Sequence, residues 1–207
     1  MMFYNILDKK RLDILPLFKN FKRDFYLAGG TALALQIGHR DSIDFDFFGP
    51  ENIDTKQLFA EISEIFKNRK ILKTQEEKNT LTVFIDNDIK LSFFGYKYKL
   101  LNNTIEDDNL RLASIEDIAC MKLSAITSRA SNKDYIDLYY ILQDKKLKDL
   151  LEKASEKFPD LDASLILKSV VYFADIENEP IIFKNNNFVD MEKVEQFLKE
   201  KVKEAMS

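Results

Sequence analysis

Apolar and polar positions follow distinct periods along the chain, and each period predicts an element. In "FYLAGG", Phe25 to Gly30, four apolar or aromatic residues run into two glycines. That is the pattern of a short buried strand ending in a turn, and "TALALQIG" reads as the helix that leaves it. "SIDFDFF", Ser42 to Phe48, alternates strictly; on a strand this puts Asp44 and Asp46 on one face and Ile43, Phe45 and Phe47 on the other. "DTKQLFAEISEIF" spaces Leu58, Ile62, Ile65 and Phe66 along one face of a helix behind an Asp54/Thr55 start. Three β-branched and aromatic runs follow, "RKILKTQEE", "TLTVFID" and "IKLSFFGY", and predict a strand meander with Asp86 and Asp88 in a hairpin turn.

From Ser114 the period becomes helical. "SIEDIACMKLSAITSR" opens with Ser114 and Asp117 in capping-box spacing, and "KDYIDLYYILQ", "KLKDLLEKASEKF" and "LDASLILKSVVYF" continue in the same style. A last helix is expected near Asp190 to Ala205. The expected fold class is α+β, with a mixed sheet and flanking helices over residues 1–105 and a helical bundle over 106–207. The joint falls in "LLNNTIEDDNLRLA", and no repeat or low-complexity linker interrupts the chain.

Composition narrows the chemistry. A chain of 207 residues with 45% apolar and 32% charged residues has enough apolar material for one or two packed domains. No apolar run reaches the roughly 18 residues of a membrane helix, and "MMFYNILDKKRLDILP" lacks a signal-peptide pattern, so the cytoplasm is the expected location and no membrane partner is expected. Acids outnumber bases by 35 to 31, which argues against a protein that coats nucleic acid through a broad positive surface, though not against a local basic pocket. The chain has one cysteine, Cys120, read as a buried inert thiol, and one histidine, His39, read as a helix C-terminal cap partner. Cys/His zinc sites are thereby excluded, and carboxylates and lysines must carry any chemistry.

The opening stretch offers such chemistry. Glycines before a helix let backbone N–H groups approach an anion, and the helix N-terminus adds partial positive charge, so Gly29, Gly30 and Thr31 form a candidate phosphate cradle. A plain strand-to-helix turn is the alternative. Asp44 and Asp46, with Cα atoms about 6–7 Å apart on one strand face, could share one hard cation such as Mg²⁺ or Mn²⁺. At about 5 Å and an effective dielectric near 20 the two charges would repel by roughly 3 kcal/mol, so a positive partner is expected. Arg40 or lysines on an edge strand would also serve. A glycosidase is disfavoured, because its two acids work from opposite sides of a bond. Lys122 falls on an apolar helix face and needs a partner or a route to water; Asp134 and Asp137 share the next helix's face, and Lys133, Arg129 or Lys122 could pair with them. In "GYKYKL", lysines alternate with tyrosines, which suits either base stacking beside phosphates or a solvated face.

"GGTALALQIGHRDSIDFDFF" resembles the first motif of the DNA-polymerase-β-like nucleotidyltransferase superfamily. The arrangement of Arg40, Ser42, Asp44, Asp46 and Phe48 is similar to that of AbiEii/AbiGii-type nucleotidyltransferases, the toxin halves of abortive-infection systems. Similarity continues through "IKLSFFGYKYKLL" and "SIEDIACMKLSAITSRASNKDYIDLYYIL", and so covers most of residues 25–142. The resemblance implies a nucleotidyltransferase-like N-terminal domain that moves a nucleoside monophosphate from an NTP to RNA, such as a tRNA end, or to a protein. A cognate antitoxin would be its partner. It implies metal binding by Asp44 and Asp46, phosphate contacts from Gly29, Gly30, Thr31 and Lys122, buttressing by Arg40 and Ser42, and catalytic participation of Lys122, Asp134 and Asp137. One departure stands out: the superfamily's third carboxylate position holds Ser92. A catalytically lapsed nucleotide-binding or antitoxin-binding module, or a small-molecule nucleotidyltransferase of the antibiotic-modifying kind, are the alternatives.

Overall fold

The computed structural model describes residues 2–207. A short helix, α1 (Lys9–Ile14), and a 3-10 stretch (Leu15–Phe21) lead into strand β1 (Tyr26–Ala28), helix α2 (Gly29–Ile37) and strand β2 (Phe45–Gly49). Helix α3 (Thr55–Ile65) is capped by Asp54, whose carboxylate accepts from the Lys56 and Gln57 N–H groups. The meander follows as β3 (Ile71–Glu77), β4 (Thr80–Ile85) and β5 (Ile89–Gly95). Asp86 and Asn87 both adopt positive φ in the β4–β5 turn, so Asp86 sits in a hairpin tip as expected and Asp88 follows it.

Two short strands, β6 (Ile105–Glu106) and β7 (Arg111–Leu112), complete a seven-stranded sheet of order β3-β4-β5-β2-β1-β7-β6. The pairs β2–β5 and β1–β7 are parallel and the others antiparallel. The C-terminal half consists of α4 (Ile115–Ala125), α5 (Asn132–Asp144), α6 (Leu147–Lys157), α7 (Ala163–Val170) and α8 (Met191–Met206). Ser114 caps α4 by accepting from the Asp117 N–H at 3.0 Å. Asp117 in turn accepts from the Leu101 N–H and from Lys157 at 2.9 and 2.8 Å, which fastens the joint to the bundle. No helix among the described residues is long and apolar enough to cross a membrane.

The two faces of β2 go to different neighbours. Phe45 and Phe47 are buried against Phe18 and Phe93, with ring centroids 4.7–5.3 Å apart. Each buried ring contributes about 1.5–3 kcal/mol. Asp46, on the opposite face, is left to a cleft between the sheet and the helical half. Burial of the phenylalanines thus fixes which way Asp46 points.

Candidate active site

Ala28 pairs in register with Asp46, so the chain enters α2 directly beside that carboxylate. Gly29 has φ +72°, a left-handed conformation that side chains resist, and a Cβ there would stand 3.3 Å from Asp46 Oδ2. A Cβ on Gly30 would stand 2.6 Å from Arg40 Nη2. The two glycines therefore let helix α2 begin between a carboxylate and a guanidinium. Its first-turn N–H groups have no partner within the helix and carry the positive end of the helix dipole.

Thr31 places its backbone at this helix start but turns its hydroxyl inward, donating to the Asp44 carbonyl and sharing a 2.7 Å bond with the Ser42 hydroxyl. This tie corrects one detail of the alternating pattern. The chain before Phe45 is held to α2 rather than to the sheet, so β2 starts at Phe45, Asp44 lies one residue ahead of the ladder, and Ile43 is 51% exposed instead of buried with Phe45 and Phe47. The Thr31 side chain is likewise committed within the protein, which leaves its backbone as the group free to face a ligand.

A cleft of about 640 Å³ brings together Gly30, Thr31, Arg40, Ser42, Asp44, Asp46, Lys122 and Asp134 from elements spread over a hundred residues of sequence. Asp46 stands beside Ser92 in the β2–β5 register, Ser92 beside Thr82, and Thr82 beside Gln75, so one polar row crosses four strands along the cleft floor. Ser92 thus stands directly beside Asp46 and offers it a hydroxyl but no charge. Burial pushes the Asp46 carboxyl above the usual carboxylate range, and the Asp44 charge adds to that push against the pull of Lys90. Lys90 approaches Asp44 only to 3.9 Å. Among the described residues no group of three or more His, Cys, Asp or Glu side chains is arranged to hold a metal ion. Two hard oxygen donors, one destabilised by burial and lacking a close cation, fit a single divalent ion that keeps positions for water and substrate oxygens.

Behind the cleft lies a buried charge hub. Asp137, fully buried, accepts from Arg40 Nε and Nη2 at 2.8 and 2.9 Å and meets Lys122 Nζ at 2.6 Å and His39 Nε2 at 2.7 Å. Burial alone would raise its pKa, but the Arg40 and Lys122 charges outweigh burial and hold it well below the carboxylate range. Lys122 Nζ also meets Asp134 Oδ1 at 2.7 Å, and Arg129 Nε donates to Asp134 Oδ2 at 2.9 Å. Asp134 therefore reaches the cleft wall, whereas Asp137 fixes Arg40 and Lys122 from behind. His39 is not a helix cap. The helix ends at Gly38, and His39 is buried against Asp137, with burial holding its pKa below 6.5. Its Nδ1 has no partner, which matches a neutral ring with the proton on Nε2.

One wall of the cleft has no periodic signature in the sequence. Between α7 and α8, residues 172–190 form no helix and run along one side of the cleft as a strap. The Asp41 N–H donates to the Ile182 carbonyl and the Lys184 N–H to the His39 carbonyl; Glu177 exchanges backbone bonds with Ala130 and Asn132 at the start of α5. Glu179 ties down Ser131 and Lys133 at 3.0 and 2.7 Å. Strap residues Glu177, Glu179, Ile181 and Ile182 line the cleft, as do the cations Lys90, Arg129 and Lys133. Pro180 and the run Asn185, Asn186 and Asn187 were the signals in the sequence for a non-helical segment here, and Asn185 and Asn186 indeed adopt positive φ.

A mixed sheet with a glycine-led helix start beside Asp46 is the fold shared with solved nucleotidyltransferase structures. The chain is similar to the nucleotidyltransferase toxin MenT4 of Mycobacterium tuberculosis H37Rv, at a TM-score of 0.63 and 15% identity, over 96% of this chain and 82% of that one. It is also similar to JHP933 of Helicobacter pylori, at 0.58 and 20%, over 95% and 89% of the two chains. An uncharacterized protein of Aquifex aeolicus strain VF5 is 41% identical over 189 residues, 88% of each chain. Residues 17–205 match the family described as nucleotidyl transferase AbiEii toxin, type IV TA system, and the chain belongs to that family. Nucleotidyl transfer in a toxin–antitoxin setting is the activity this membership supports.

Proposed function

We propose that the protein transfers a nucleoside monophosphate from an NTP to an acceptor that is RNA, such as a tRNA end, or a protein, as the toxin of a pair with a cognate antitoxin. The observation that carries this reading is the convergence of Asp44, Asp46, the α2 N-terminus and the Lys122–Asp134 pair on one cleft. Asp44 and Asp46 would hold Mg²⁺ or Mn²⁺, which when bound supplies charge neutralisation for the phosphate oxygens. The backbone N–H groups of Gly29, Gly30 and Thr31 receive the triphosphate, and Arg129, Lys133 and Lys122 supply positive charge around it. Arg40 and Ser42 hold the loop that carries Asp44, and Asp137 holds Arg40 and Lys122. In the reaction the acceptor hydroxyl oxygen forms a bond to the α-phosphorus as the bond from that phosphorus to the α–β bridging oxygen breaks; pyrophosphate leaves and the hydroxyl proton is given up to water.

The test is incubation with labelled NTPs, Mg²⁺ or Mn²⁺ and total RNA. Label is expected in RNA or protein, and Asp44→Ala or Asp46→Ala should lower incorporation at least a hundredfold; unchanged incorporation in both variants would remove the assignment. Ser92 beside Asp46 favours a second reading, a nucleotide-binding module without transfer. That module would give a nucleotide-dependent thermal shift and no label.

A further inference from the structure

A second pocket, of about 450 Å³, opens beyond the far ends of β2 and β5 from Asp44 and Lys90. Tyr26, Tyr96 and Tyr98 line it, together with Lys97, Lys99 and Arg111. Its one acid, Asp24, is already engaged by Arg23 at 2.8 Å. In a chain of formal net charge -4, this is a local concentration of cations interleaved with aromatic rings. Lys97 and Lys99 are exposed and the two C-terminal tyrosines half-buried, and Lys97 Nζ lies 4.9 Å over the Tyr98 ring. The Tyr26 hydroxyl and Arg111 Nε lack hydrogen-bond partners although both are buried, and each can donate.

The pocket is joined to the active-site cleft by rings in contact. Phe94, on the cleft wall, packs on Phe48 at 5.2 Å; Phe48 packs on Tyr96 at 5.1 Å; and Tyr96 packs on Tyr98 at 5.4 Å. The strand rise puts Tyr96 about 13 Å from Ser92. A chain lying over the tyrosines is therefore within reach of Asp46 and Ser92.

Resting on the transfer function proposed above, we propose that this pocket binds the acceptor, and that the acceptor is a single-stranded polynucleotide. Its bases lie on Tyr96 and Tyr98, its phosphates are met by Lys97, Lys99 and Arg111, and its terminal hydroxyl is directed into the cleft. Alternating rings and ammonium groups suit a strand whose every unit carries one flat face and one negative charge. A folded protein acceptor has no such repeat.

Fluorescence anisotropy with labelled single-stranded RNA and DNA oligonucleotides tests this on the full chain. Binding should weaken with salt, and Lys97→Ala with Lys99→Ala should flatten the log–log salt slope by about 1.4. Tyr98→Leu should weaken binding about fivefold or more, and Tyr98→Phe should restore it. The tighter of the two oligonucleotides identifies the acceptor type. A nucleotide-dependent thermal shift, measured on the same variants, should stay at its wild-type size because none of these residues lines the cleft; its loss in the wild type would count against the transfer function alone. Oligonucleotide affinity and salt slope unaltered in the lysine and Tyr98→Leu variants would overturn the proposal, as would label transferred to protein with neither oligonucleotide bound.

Discussion

Asp46 is placed where its charge is costly. Burial raises its pKa, so the folded state binds the proton more tightly than the unfolded chain, and stability is lost as pH rises through that window. At neutral pH the ionised side chain therefore opposes folding. Asp46→Asn should raise the thermal midpoint in metal-free buffer while abolishing any Mn²⁺-dependent stabilisation in the presence of NTP; a lower midpoint would show that Asp46 serves the fold rather than a ligand. That Asp44 and Asp46 face one cleft was legible from their alternation with phenylalanine, although the strand itself begins only at Phe45. The inward hydroxyl of Thr31 was not, since the tie from Thr31 to Ser42 and Asp44 is a tertiary contact with no local signature.

At the scale of elements, the strand–glycine–helix unit works because two bulky polar groups press on its turn. Gly30→Ala would drive a methyl group into the Arg40 guanidinium, which is itself locked to buried Asp137 and cannot swing aside. A destabilisation of about 1–3 kcal/mol is expected in urea titrations, together with weaker nucleotide binding. Wild-type stability in Gly30→Ala would mean that this packing is looser than described. Helix caps at Asp54 and Ser114, the meander and the last helix were all readable from local period and capping residues. The strap over residues 172–190 was not, because its conformation depends on backbone bonds to residues 39–41 and 130–132.

Across the whole molecule, the charge hub couples both halves, since His39 and Arg40 follow α2 while Lys122 and Asp137 come from α4 and α5. Burial holds the His39 pKa down against the pull of Asp137, and the Arg40 and Lys122 charges add to that, so the ring stays neutral. The unfolded chain takes up the proton that the folded chain rejects, so this group makes stability fall as pH drops below about 6.5. Asp137 acts in the same sense at still lower pH, and Asp46 in the opposite one. His39→Gln keeps an amide donor for Asp137 but has no titrating ring, so the variant should lose part of the stability slope as pH falls below about 6.5, and identical slopes would contradict a neutral His39. Most directly at stake is whether the two acids and the helix start form one site. A crystal structure with a non-hydrolysable NTP analogue and Mn²⁺, read by anomalous scattering, should place the ion about 2.1 Å from oxygens of both Asp44 and Asp46, with the triphosphate at the Gly29–Thr31 amides. An ion bound elsewhere, or those two side chains bridged only by lysine, would contradict the account.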